Sequence, residues 1–364
     1  MPEAAKMGIL RCEKSRGEEI FSFEYSESWI KSGYAQEIDP DLKLFTGPQY
    51  ITDEKPNFGL FLDSSPDRWG RMLMERREAI LARQTSRPKK RLAESDFLLG
   101  VNDETRMGAL RFKLEEKGDY LSNHKDVKTP PFTSIRELEQ ASLRVEDDDF
   151  FKDEEAQKWL AMLIAPGSSL GGARPKASVI DPSNQLWIAK FPSKNDDKDS
   201  GAWEFIANQM ARDLGLNVAV ADAKTYSQKQ HTFLTKRFDR TPSNQRIHFA
   251  SGMSLLGYKD GYNYKEGGSY LELIELIEQY GSDPDQDIRE LWRRVVFSVA
   301  ISNTDDHLRN HGFLLFKNGW KLSPAYDINP IEKGTGLSLN ISEDDNSLDF
   351  DLCIEVIDYF RWQE

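Results

Sequence analysis

Cysteine is nearly missing from this 364-residue chain: Cys12 and Cys353 are the two present, at opposite ends of the sequence. A pair so spaced supports neither a disulfide framework nor a zinc knuckle. Long apolar runs are missing too. No stretch reaches the ~18 apolar residues of a membrane span, and the opening MPEAAKMGIL has no apolar core of signal-peptide length, so the chain reads as cytoplasmic, with no membrane partner. An excess of positive charge is likewise absent. Lys and Arg total 48 against 61 Asp and Glu, a net charge of −13. This argues against a non-specific nucleic-acid or membrane binder, which needs a basic surface. There is no internal repeat and no low-complexity segment. What is present, 38% hydrophobic and 30% charged residues, is the composition of a globular protein. At roughly 100–200 residues per domain, the length suggests two or three domains.

The first third reads as short mixed α/β elements. Residues 20–25 alternate apolar and polar as a half-buried strand does. From Asp67 to Ala82 the spacing of Trp69, Leu73, Ala79 and Ile80 is helical. Ser64-Ser65-Pro66-Asp67 supplies the start of that helix, with a Ser at the cap and a Pro in the first turn. Residues 84–95 are basic and expected to be exposed. The polar stretch 115–131 ends in two prolines and marks a boundary. A helix is expected over 135–145, and the acidic run 146–155 reads as a solvated turn.

Beyond this point strands are expected at 185–191, 218–220 and 231–235, and a helix at 202–214 with Trp203, Ile206, Ala207, Met210 and Leu214 on one face. Two strong helices follow at 269–280 and 286–302. Strands 312–316 and 320–322 should form a hairpin around Lys317-Asn318-Gly319. A strand-rich part followed by a helix-rich one suggests two lobes with a cleft between them.

Four patches carry chemistry. The first is Asn303-Thr304-Asp305-Asp306-His307-Leu308-Arg309-Asn310, a loop held between an apolar helix and a hairpin. Asp305 and Asn310, four residues between them, have the spacing of a protein-kinase catalytic loop, in which the Asp takes a proton from the attacking hydroxyl and the Asn helps hold magnesium. Asp327, just past the hairpin, stands where a second metal carboxylate would be needed. The bland alternative is a solvated helix end. A rival reading makes His307 and His311, with Asp306, zinc ligands. The second patch, Gly167 to Lys176, sets glycines and hydroxyls beside two cations and could cradle phosphate, although such clusters are usually just loops. The third is Lys190 in an apolar strand, with Glu204 fourteen residues on. This resembles the strand lysine and helix glutamate that grip the α- and β-phosphates in kinases, against an edge lysine facing water. The fourth, Phe233 to Arg240, runs from an apolar strand into a charged segment where a hinge could meet adenine.

Together these stretches resemble the HipA family of bacterial serine/threonine toxin kinases. The residues that carry the resemblance are SSLGGARPKA (168–177), WIAKFP (187–192), Glu204 with ARDLGLNV (211–218), KRFDR (236–240), NTDDHLRN (303–310) and LSPAYDI (322–328). In the amino-terminal part they are Asp63-Ser64-Ser65-Pro66-Asp67-Arg68-Trp69-Gly70-Arg71 and FLLGVNDETRMGALRF (97–112). The resemblance spans about residues 20–340. It implies an α+β, bilobed protein-kinase-like fold of HipA type with a small α/β N-terminal domain: 1–134 as that domain, 135–238 as kinase N-lobe, and 239–364 as helical C-lobe, with terminal helices beyond this length.

The resemblance further implies ATP and Mg2+ as cofactors. Asp305 would be the catalytic base and Asn310 and Asp327 the metal ligands. Gly171, Gly172, Ala173, Arg174, Pro175, Lys176, Lys190, Lys236, Arg237, Phe238, His307, Arg309 and Tyr326 would line the ATP site, with Glu204 as the ion-pair partner of Lys190. Ser169, or its neighbour Ser168, would be autophosphorylated and so switch the enzyme off. Expected partners are a HipB-like DNA-binding antitoxin, through which DNA is touched only indirectly, and a protein substrate such as an aminoacyl-tRNA synthetase. Lys236 departs from the glutamate of well-known members. No D-F-G or A-P-E pattern is present, so activation-loop phosphorylation is not expected. Two alternatives remain: a catalytically weak or inactive binding protein that acts as an antitoxin-bound co-repressor, and a metal-dependent hydrolase built on Asp305, Asp306 and His307.

Overall fold

The structure is a computed structural model that describes residues 4–51, 55–122, 129–147, 150, 156–164 and 172–362. The chain forms two compact units. The first comprises Met1–Asp63, Met210–Val218 and Ile247–Glu364, and the second Ser64–Gln209 and Ala219–Arg246.

The first unit holds two antiparallel sheets. One pairs Gly8–Ser15, Glu18–Tyr25 and Gln49–Tyr50 in that order; the other runs Gly319–Leu322, Gly312–Phe316, His248–Ser251. The hairpin 312–322 turns at Gly319, whose φ of 127° no side chain adopts without strain. A Cβ there would also lie 2.6 Å from the carbonyl oxygen of Tyr280. The two helices expected from their apolar spacing are Tyr270–Tyr280 and Pro284–Ile301. Ser269 and Glu272 form a capping box on the first, and Pro284 opens the second, where a missing N–H costs nothing.

The second unit is built on one antiparallel sheet in the order Lys176–Ile180, Leu186–Lys190, Thr232–Lys236, Ala221–Lys224. The pleat sends Ala177, Val179, Ala189 and Leu234 into a core with Ile135, Leu138 and Val145 of the helix Ile135–Val145 and with Trp69 and Leu73 of the helix Arg68–Gln84. Helices and antiparallel strands thus mix as in an α+β protein.

Three expectations shift. The helix Arg68–Gln84 is capped by Asp67, whose Oδ1 accepts from the amide of Gly70 at 2.8 Å, and not by a serine; Pro66 precedes the cap. The strand expected at 218–220 lies at Ala221–Lys224, because Val218 bridges to Ala325 and the Ala219 carbonyl accepts from Asn208 Nδ2. The helix Ser200–Asp213 exposes Trp203, Ile206, Met210 and Leu214. Its buried residues are Gly201, Glu204, Ala207, Asn208 and Ala211. The inward face is therefore the one that carries Glu204, with small alanines that allow close approach. Most of the acidic run 146–155 lies outside the described residues.

His248 is a testable feature of the first unit. Both ring nitrogens are buried without a hydrogen-bond partner among the described residues, and its ring centre lies 5.7 Å from that of Trp320. Burial pushes the imidazole down to about 4. A folded-state value below the unfolded ~6.5 means that the stability tied to neutral His248 is present above pH 6.5 and is lost as pH falls toward 4. Between pH 8 and pH 5 the loss is about 2 kcal/mol. His248→Phe is expected to remove that loss. Urea unfolding of both proteins at the two pH values checks it, and an equal pH 8 to 5 change in variant and wild type would refute it.

Candidate functional site

The candidate residues fall into two sets, one in each unit. In the first unit the helix Pro284–Ile301 ends at Ser302, whose left-handed φ of 53° releases the chain into the loop 303–310. This loop is tied to the one carrying Asp327 at three points. Asn303 Oδ1, on a residue 2% exposed, accepts from the Asn329 amide at 3.2 Å. The Ser302 carbonyl accepts from the Ile331 amide at 3.0 Å. Tyr326 donates its hydroxyl to the Arg309 carbonyl at 2.5 Å.

Asp305 is exposed, and its backbone is pinned: its carbonyl accepts from the His307 amide and from Asn310 Nδ2, each at 2.9 Å. With the amide nitrogen of Asn310 committed, its carbonyl oxygen is the end left to serve a ligand. Asp327 sits at φ 58° and its Oδ1 accepts from Asn329 Nδ2 at 3.1 Å. Left-handed backbone at a residue other than glycine is uncommon, tolerated best by Asn and Asp, and concentrated at functional sites. His307 Nδ1 is buried without a hydrogen-bond partner among the described residues. Arg309 Nη1 lies 2.8 Å from Asp260 Oδ1.

Asp306 has a different role. Its Oδ2 accepts from the hydroxyls of Tyr270 at 2.7 Å and Ser298 at 3.2 Å, and its Oδ1 lies 3.1 Å from His311 Nε2. Burial pushes this carboxyl up, but the charge and hydrogen bond of His311 and the Tyr270 hydroxyl outweigh it and hold it below the usual carboxylate range. Asp306 is thus spent on anchoring the loop through Tyr270 and Ser298, which weighs against the zinc and hydrolase readings that use its carboxylate. Sequence reasoning passed over Asp63, whose carboxylate accepts from the amide (2.7 Å) and hydroxyl (2.9 Å) of Ser251. Burial pushes Asp63 up to about 6, and burial together with Asp63 and Asp327 raises the Tyr326 hydroxyl well above its ordinary value.

In the second unit Lys190 Nζ donates to Glu204 Oε1 at 2.5 Å, with both residues buried. The Lys190 ammonium also lies 5.6 Å from the centre of the Phe233 ring. The edge-lysine alternative therefore falls: Leu186–Lys190 is an inner strand, paired on both sides. Close approach of the following helix depends on Gly201, where a Cβ would lie 2.1 Å from the His231 carbonyl oxygen. Arg174 forks onto Asp196, Nη1 to Oδ1 at 3.1 Å and Nη2 to Oδ2. Lys176 is buried and donates to Asp67 Oδ2 at 2.7 Å. Gly172 is exposed with φ 95°, Ala173 is exposed, and Pro175 is buried. Ser168, Ser169 and Gly171 lie outside the described residues.

The hinge candidates are strongly anchored. The amides of Lys236 and Arg237 donate to the carbonyls of Val220 (2.8 Å) and Leu186 (2.9 Å). The Arg237 guanidinium is fully buried, donating to both oxygens of Asp239 and to the Thr105 carbonyl, while Asp239 accepts from the Gly108 amide. Burial pushes Asp239 up, but Arg237 and Arg240 prevail and bring it to about 2. The side chains of the KRFDR stretch thus lock the strand end to residues 104–108.

These sheets and helices make a HipA-type α+β fold. The chain superposes on a chain of the Shewanella oneidensis MR-1 toxin–antitoxin complex of HipA, HipB and operator DNA with a TM-score of 0.64 at 18% identity, over 97% of this chain and 85% of that one. Residues 168–361, more than half of the chain, match the HipA-like C-terminal domain, and the chain belongs to that family. It is 28% identical over 179 residues to a Haemophilus influenzae protein named "Putative kinase" and 31% identical over 156 residues to a Sinorhizobium fredii protein, "Putative kinase Y4dM". These matches cover 44% and 39% of this chain, and 52% and 36% of the respective relatives. The chain thus matches about half the length of one relative and about a third of the other.

Proposed function

We propose that the protein is an ATP- and Mg2+-dependent serine/threonine protein kinase, the toxin of a toxin–antitoxin pair. The observation that carries this reading is the tying together, in the first unit, of the loop that holds an exposed Asp305 and an Asn310 fixed through its amide nitrogen with the loop that holds Asp327 in left-handed backbone. The donor set suits magnesium, which takes hard oxygens, needs only one or two protein carboxylates and leaves the rest of its shell to phosphate and water. The Nδ1 of His307, without a hydrogen-bond partner among the described residues, gives the same loop a group for a polar ligand.

In this scheme Asn310 and Asp327 hold the metal, which when bound supplies positive charge to the phosphate oxygens. Asp305 accepts the proton of the substrate hydroxyl. Lys190, kept in place by Glu204, neutralises phosphate charge, and residues 172–176 lie on the phosphate side. Most of the rate gain comes from positioning and charge, and less from the base. A HipB-like antitoxin is the natural partner given the Shewanella HipA–HipB–DNA complex, with DNA reached through it. A component of translation, such as an aminoacyl-tRNA synthetase, is the substrate class that the HipA resemblance favours.

Ser169 is the proposed site of self-inactivation. A phosphoserine adds roughly −1.5 to −2 charges where a triphosphate must bind, so the two anions compete. After incubation with Mg-ATP, intact mass should gain one phosphate in the wild type and none in Ser169→Ala. A mass gain at another residue in the variant would move the site, to Ser168 first of all, and no gain in the wild type would remove it.

A further inference from the structure

Lys176 and Lys190 are directly opposed partners in the antiparallel pair of Lys176–Ile180 with Leu186–Lys190. Directly opposed residues share a sheet face, and like charges so placed repel. Both lysines are buried, 2% and 8% exposed, where an ammonium without an anion is costly. Each has its own carboxylate: Glu204 for Lys190, and Asp67 for Lys176. The ordinary kinase arrangement has one such pair, and here two stand side by side.

The second pair reaches into the glycine-rich turn. Lys176 Nζ also donates to the Gly172 carbonyl at 3.3 Å, closing a ring across residues 172–176. Asp67 spends both oxygens, Oδ2 on this ammonium and Oδ1 on the Gly70 amide as helix cap. Its neighbour Trp69 donates Nε1 to the Lys176 carbonyl at 3.0 Å. One short segment, Asp67 to Trp69, therefore fixes both the side chain and the backbone of Lys176.

We propose that Asp67 is a positioning residue that holds Lys176 as a second phosphate-side cation beside Lys190, making a two-ammonium cradle for the polyphosphate of a nucleotide. This rests on the nucleotide reading above. The carboxylate keeps the buried ammonium in place against Gly172, and the cation in turn sets the turn through which phosphate oxygens are met. Loss of the Asp67 charge removes the carboxylate that neutralises and orients Lys176 and weakens polyphosphate binding, while a nucleoside without phosphates is indifferent to it.

The test uses Asp67→Asn, since Asn is as good a helix cap as Asp and lacks the charge. ADP and adenosine affinities are measured by titration calorimetry on the wild type, Asp67→Asn, Lys176→Met and the double variant. The expected result is an ADP Kd raised about tenfold in Asp67→Asn, with adenosine within twofold of the wild type. Lys176→Met should lose at least as much, and Asp67→Asn should add nothing in that background. An unchanged ADP Kd, an equal loss for adenosine, or additive losses in the double variant would each overturn the proposal. Failure of the wild type itself to bind ADP would overturn the nucleotide reading and this inference with it, a result distinct from the other three.

Discussion

Asp305→Ala is expected to lower phosphoryl transfer from γ-labelled ATP by about a thousandfold or more while the melting temperature stays within a degree or two of the wild type. The separation of the two effects follows from the local structure. The carboxylate is exposed, and the loop is held through the Asp305 carbonyl by His307 and Asn310, which an alanine leaves in place. General-base contributions run about 10²–10⁴, and loss of the negative charge beside the proposed metal ligands adds to it. Asp327 needs a different substitution. At φ 58° an alanine would add backbone strain of roughly 1–2 kcal/mol, confusing fold with chemistry. Asp327→Asn keeps the tolerance for left-handed backbone and removes only the charge. It should fold normally, lose transfer to a similar degree, and recover part of it at raised Mg2+. Filter-binding assays of labelled protein across a magnesium series check both variants. Transfer within threefold of the wild type in either one would remove that residue from the chemistry.

What could be read before the structure was known depended on how far each signal reached along the chain. The helices Ile135–Val145, Tyr270–Tyr280 and Pro284–Ile301 and the 312–322 hairpin follow from local periodicity and turn chemistry, and they lie within a few residues of expectation. The Lys190–Glu204 pair was legible because a strand and the next helix are neighbours in sequence. The helix Ser200–Asp213 misled for the complementary reason: its strongest apolar stripe, through Trp203, Ile206 and Met210, faces outward, because burying Glu204 against Lys190 decides which side turns in. Periodicity counts apolar residues and has no knowledge of a distant ammonium. Asp67 was equally hidden. Its sequence role as part of a helix start is real, but its partner Lys176 lies 109 positions on. The Asn303–Asn329 and Asp63–Ser251 contacts are of the same kind, polar side chains meeting backbone far away, and no spacing rule predicts them.

The Lys190–Glu204 pair allows the second large prediction, because stability and function pull in opposite directions there. Removing one partner of a buried ion pair strands a charge, at a cost of about 3–5 kcal/mol. Glu204→Ala should therefore shift the urea midpoint strongly downward and abolish transfer. Replacing both partners by apolar residues of similar volume leaves neither of these two charges facing the gap left by the other: Lys190→Met with Glu204→Leu removes the ammonium and the carboxylate together and packs methylenes against Phe233. The double variant is expected to regain stability to within about 1 kcal/mol of the wild type, or to exceed it. It should remain inactive, with its ADP affinity lowered at least tenfold. A pair that existed for the fold alone would give the reverse pattern, a double variant as active as it is stable. Stability kept and activity lost in the double variant would be the result expected of a strand lysine and a helix glutamate whose proposed role is to meet an anion that comes from outside the chain.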